Sequence, residues 1–288
     1  VNSAPSPLQR VASDTLSFAE RAARVLGVPS LPPLPTPRHE EWHYTNLRPL
    51  TALKPLRDSD WELADVARVV PVVQGPQLVM VNGRVVEQLS LLEGAGALEV
   101  RWEGDAPSLA GETALNVWHK AQGGHTVTLT ATGAATVHVV HVLTGDNVPT
   151  GGALAIQVAE GASLTLVEHV VGHPASRGWM NVRVQAEIAA NGTLTHTLVQ
   201  NLPRTSCLTY QADLTVGNTA TYTAFTLNMG GALARVERHM DTHTTSHVHM
   251  TGLALTDDAQ THDITVRLRH MDEATTSHIH QRNILRGT

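Results

Sequence analysis

The sequence predicts a mainly β chain whose second half winds as a solenoid behind a small N-terminal helical and mixed segment. Three observations predict this. After Leu115, apolar and polar residues alternate in short runs, the period of a half-buried strand, and helical periodicity is almost gone from about residue 125. Small turn residues separate those runs, as Glu160-Gly161-Ala162 and Asn191-Gly192 do. The block His239-Met240-Asp241-Thr242-His243-Thr244-Thr245-Ser246-His247-Val248-His249 returns as His270-Met271-Asp272-Glu273-Ala274-Thr275-Thr276-Ser277-His278-Ile279-His280, an offset of 31 residues. Such a period suits consecutive coils that stack like on like, although a local duplication within a β-sandwich would give the same repeat.

Two regions follow, residues 1–110 and 111–288. In the first, Val11, Leu16, Ala19, Ala23 and Leu26 recur at helical spacing from about Pro7, and Gly27 with Pro29 supplies a stop. The prolines at positions 29, 32, 33, 35 and 37 fix an extended backbone, read as a stiff linker. Leu78–Val81 and Arg84–Glu87 flank Asn82-Gly83, the pair that best accepts the positive φ angles of a two-residue hairpin. In the second region, Ala155–Val158, Leu164–Glu168, Val182–Gln185, Leu194–Leu198, Ala212–Leu214 and Tyr222–Phe225 read as successive strands. Their sheet edges need closure as a solenoid, a barrel or a sandwich.

Composition narrows the function. With 20 basic and 26 acidic residues the formal charge is −6, which argues against a phosphate-tracking nucleic-acid binder or a polybasic membrane anchor and favours a protein or small-molecule partner. The start Val1-Asn2-Ser3-Ala4-Pro5 lacks a secretory pattern, and no apolar run nears the length of a membrane span. A single cysteine, Cys207, excludes an internal disulfide framework and fits a reducing compartment, so a cytoplasmic protein is expected.

The candidate metal ligands are His247, His249, His278 and His280: on adjacent strands, each His-x-His pair points to one face. Convergence on one ion is not guaranteed by that spacing, and a solvated or interfacial histidine ladder is the plainer reading. Cys207, beside Arg204 and Thr205, has the chemistry of a persulfide carrier or metal ligand, but a lone cysteine next to Leu208 is more often a small buried residue. Asp257, Asp258 and Asp263 could be imagined as a sugar-cleaving β-helix site, although such carboxylates near a turn are usually solvated. There is no phosphate loop, no Gly-x-Ser-x-Gly elbow and no Cys-x-x-Cys pair, so no catalytic residue is assigned.

Several stretches resemble the SufB/SufD family of iron–sulfur cluster assembly proteins, and within it the SufD-like branch. Pro37-Arg38-His39-Glu40-Glu41-Trp42-His43-Tyr44-Thr45-Asn46-Leu47 is similar to the family's signature after its N-terminal helix. Leu78–Arg84, Leu89–Leu92, Ala114–Asn116, Glu160–Glu168, Trp179–Val182, Leu198–Asn201, Asp263, His270, Thr276-Ser277 and Asn283–Leu285 follow in family order. The resemblance implies a right-handed parallel β-helix core, and a non-catalytic scaffold subunit working with SufB-like subunits and SufC-like ATPase subunits; an open solenoid end would instead favour a homodimer through its edge. It implies that no cofactor is held by this chain alone, the cluster forming at a shared subunit interface. It also implies further coils beyond Thr288 that carry the family's cluster region, so the chain is expected to be C-terminally truncated and no cluster residue is carried over. The alternative is a metal-dependent or carbohydrate-active β-helix enzyme using the His-x-His patch.

Overall fold

A computed structural model of the chain describes residues 18–47, 50, 61–104, 113–257 and 259–287. Three helices are described, α1 (Phe18–Leu26), α2 (Leu63–Val69) and α3 (Ala114–Gln122), with 3-10 turns at Glu40–Trp42 and Glu87–Leu89. The part of the predicted first helix that precedes Phe18 lies outside the described residues.

The strands are β1 (Gln77–Val81), β2 (Arg84–Val85), β3 (Gly96–Glu103), β4 (Thr126–Leu143), β5 (Asp146–Val158), β6 (Ser163–Gly172) and β7 (Arg177–Ile188). They continue as β8 (Thr193–Asn201), β9 (Cys207–Val216), β10 (Thr221–Asn228), β11 (Leu233–Thr242), β12 (His247–Asp257), β13 (Thr261–His270) and β14 (Thr276–Arg286). Their hydrogen-bonded order is β13-β11-β9-β7-β5-β4-β6-β8-β10-β12-β14, every pairing parallel. The order is that of a solenoid. Each coil contributes one odd strand to one wall and one even strand to the other, for about six turns. β4 serves both walls, since Thr126–Ala131 pair with β5 and Ala134–Leu143 with β6.

Alternation decides which side chains fill the coil. On β6 the inward residues Leu164, Leu166, Glu168 and Val170 are buried, while Ser163 and Thr165 are exposed and Val167 and His169 half-buried. Leu194, Leu198, Leu208, Leu214, Val236 and Val248 continue the same apolar stack, and each large aliphatic removed from water contributes about 1.5–3 kcal/mol.

The N-terminal segments cover the first coil. β1 adds in parallel to β4, and β3 pairs with it in antiparallel fashion. Asn82 (φ 48°) and Gly83 (φ 80°) make the predicted two-residue turn, and a Cβ on Gly83 would sit 1.6 Å from the Gly151 carbonyl oxygen, so only glycine fits there. The proline-rich stretch lies against the solenoid through Leu31 and Leu34, in a second core with Trp42, Leu115, Trp118, Trp179 and Leu233. Trp118 Nε1 donates to the Pro32 carbonyl at 2.9 Å. Among the described residues, no helix is long and apolar enough to cross a membrane.

The register corrects one expectation. The repeated blocks do not stack like on like: His239 lies opposite Arg267, 28 residues on, and His247 opposite Thr276, 29 residues on. Coil length follows from wall pairing and corner geometry, so a 31-residue similarity slides by two or three positions in each wall.

Candidate functional site

Outward positions of β12 and β14 carry the four predicted histidines. His249 faces His278 with ring centroids 6.3 Å apart, while His247 Nδ1 lies 2.6 Å from Thr276 Oγ1. His280 faces Thr251, and its Nε2 accepts a hydrogen bond from Arg282 Nε at 2.9 Å. The four form a staggered row. Among the described residues no group of three or more His, Cys, Asp or Glu is placed to hold a metal ion. Cys207 sits on β9 between Trp179 and Leu233, buried, and burial pushes its thiol up to about 11, so it is protonated at neutral pH. Asp257 pairs with Arg204 at 2.7 Å, and Asp263 with Arg235 and Thr45; Asp258 lies outside the described residues.

Three clusters escape a reading of the sequence alone. The first is inside the coil. Glu168 is fully buried and accepts from His141 Nε2 (2.8 Å) on Oε2, and from His196 Nε2 (2.7 Å) and the Tyr210 hydroxyl (2.5 Å) on Oε1. Tyr222 OH lies 3.2 Å from His196 Nδ1, and the Arg238 guanidinium, 5.8 Å from the Tyr210 ring centroid, adds a buried positive charge. Burial alone would raise the Glu168 pKa, but the hydrogen bonds from His141 and His196 outweigh it and hold the carboxyl well below its usual range. Burial lowers that of His196 despite the carboxylate beside it. The signal in the sequence was parity: Glu168 falls on the inward phase set by Leu164 and Leu166, where a charge requires partners.

A second cluster fixes the N-terminal segment. Arg235 on β11 is buried with its guanidinium centre 3.7 Å from the Trp42 ring centroid. It donates to the Glu41 carbonyl at 2.8 Å, to Thr45 Oγ1 at 3.0 Å, to Glu237, and to Asp263, which also accepts from Thr45. The Glu41-Trp42 and Thr45 positions of the signature motif are thus the contacts that seat this segment on the odd-strand wall.

The third cluster lies on that same wall, in a groove of about 300 Å³ lined by Glu187, Asp213, Thr215, His239, Asp241 and Arg269 among others. Asp213 accepts from Arg183 and lies 3.2 Å from His239 Nδ1. Burial would raise the Asp213 pKa, but His239 and Arg183 bring it down; the hydrogen bond to Asp213 raises that of His239. The opposite wall differs sharply. Its outward positions from Thr165 to Leu255 on β6, β8, β10 and β12 hold Thr, Val, Leu, Phe, Asn and His, with no charged side chain before Asp257.

Fold and clusters together define a parallel β-solenoid protein with a polar knot inside its coil and two chemically distinct outer walls. The SUF system FeS cluster assembly SufBD core domain matches residues 141–288, just over half of the chain and the whole of β5 to β14. The chain belongs to this SufB/SufD family, and membership carries a role in SUF-system iron–sulfur cluster assembly. No curated protein matches the sequence.

Proposed function

We propose that the chain is a SufD-like, non-catalytic scaffold subunit that works with SufB-like subunits and SufC-like ATPase subunits in the cytoplasm. The observation that carries this reading is Cys207: the one thiol of residues 1–288 is buried and protonated, so this stretch of solenoid offers no ready thiolate to a nascent cluster. The cluster is then the cargo of a shared interface rather than a resident cofactor of this chain. Support also comes from the polar clusters, whose groups are engaged with one another: Glu168 with two histidines and a tyrosine, Asp213 with Arg183 and His239, Arg235 with Trp42 and Asp263. The outward face of β6, β8, β10 and β12, without a charged side chain from Thr165 to Leu255, is a surface suited to a protein partner.

Co-expression of the tagged chain with SufB-like and SufC-like subunits of the same organism tests the reading. Stoichiometric co-purification is expected, and Cys207→Ala is expected to retain both the complex and cluster formation. Absence of both partners from the purified material, or loss of cluster formation in a Cys207→Ala complex that still assembles, would overturn it.

A further inference from the structure

His138 on β4 and His169 on β6 belong to none of the clusters above. They lie on the outer face of adjacent parallel strands as diagonal neighbours: His138 stands opposite Val167, and His169 opposite Val140. Their ring centroids are 5.4 Å apart and their planes differ by 16°, while His138 Nδ1 and His169 Nε2 are only 3.1 Å apart. The nitrogens are closer than the ring centres by about two ring radii, so they lie between the centres. The imidazoles therefore meet edge to edge in nearly one plane, sharing a single N–H across the gap, rather than stacking face to face.

That geometry aims two nitrogen donors at one point along one line. We propose that His138 and His169 form a two-coordinate site for a soft monovalent cation, with Cu(I) as the biological ion. Imidazole suits copper, and a closed-shell monovalent ion is satisfied by two collinear nitrogens, whereas Zn²⁺ requires about four ligands. Among the described residues no third His, Cys, Asp or Glu joins the pair. Val140, Val167 and Val199 flank it on β4, β6 and β8, and Gln77 of β1 stands opposite His138, so its neighbours are apolar or neutral and supply no charge for a dication.

Two metal–nitrogen bonds of roughly 2 Å each set the nitrogens about 4 Å apart, so the gap opens by about 1 Å. Small χ rotations of two half-buried rings provide this. The proton in the gap passes through solvent to the other nitrogen of its own ring, so binding to two neutral imidazoles releases no net proton.

Anaerobic titration of the full chain with Cu(I) against a chromophoric chelator tests the site. One equivalent is expected to bind, His138→Ala and His169→Ala are each expected to weaken binding by more than about tenfold, and His249→Ala and His278→Ala to leave it unchanged. X-ray absorption of the copper complex is expected to show two nitrogen neighbours. Where an alanine variant loses its fold by circular dichroism, His138→Gln and His169→Gln take its place, with the same loss expected. The assignment falls if no stoichiometric binding occurs, if binding follows His249 and His278 instead, if the copper is four-coordinate, or if Zn²⁺ binds the same pair more tightly than Cu(I).

Discussion

At the scale of single residues, Glu168 is the group on which most depends. Glu168→Ala strips acceptors from His141, His196 and Tyr210 at once, inside a coil that water does not reach. Removing one partner of a buried ionic group typically costs about 3–5 kcal/mol, and a loss of that size is expected in denaturant unfolding; a loss below about 1 kcal/mol would show the knot to be energetically slack. The Asp213 and His239 pair sets a pH window. His239, with its pKa raised, contributes fully below the usual imidazole value, and that contribution is lost as pH rises through the raised one. Asp213, with its pKa lowered, contributes above the usual carboxyl value and fails as pH falls through the lowered one. The pair is therefore most favourable between the two ordinary values. An NMR titration should place the His239 midpoint above the usual imidazole value, and Asp213→Asn should move it down; an unmoved midpoint would contradict the contact. Sequence parity points to Glu168 as an inward charge, but His141, His196 and Tyr210 come from other strands, and nothing local in the chain announces that they meet.

Among the elements, the segment around the Glu40–Trp42 turn depends on one side chain of a strand some 190 positions further along. Arg235→Ala removes its cation–π contact with Trp42 and its hydrogen bonds to Glu41, Thr45, Glu237 and Asp263. The expected outcome is a red shift of tryptophan emission and faster proteolysis near residues 38–47, with solenoid circular dichroism retained; unchanged emission and proteolysis would place the anchor elsewhere. The motif itself was legible in the sequence, but its reason was not, because a motif names residues and only the docked strand names their partner. Hairpin chemistry was the opposite case: Asn82-Gly83 dictates its turn from two adjacent positions, and Gly83 against Gly151 shows why. The strands β5 to β10 were readable for a similar reason, since alternation is a local property.

For the molecule as a whole, the two walls set different tolerances for added length. A one-residue insertion after Val139 in β4 would turn His141 and Leu143 outward and expose Val140 and Val142 to the wrong environment, against β1 and β6 at once. One after Gly161, in the corner before β6, leaves both walls in phase. The first is expected to abolish cooperative unfolding and the second to cost about 1 kcal/mol of stability or less, both read by thermal denaturation. Equal effects would mean that corners are as tightly specified as walls. Coil length was the part least legible beforehand: corresponding residues of successive coils lie 30, 28 and 26 apart from Ser163 through Thr193 and Thr221 to His247. A molecule wound this way keeps step by its hydrogen bonds, not by its residue count. Each corner absorbs a difference in length between walls that stay in phase, so a phrase repeated further along the sequence comes to rest beside new companions.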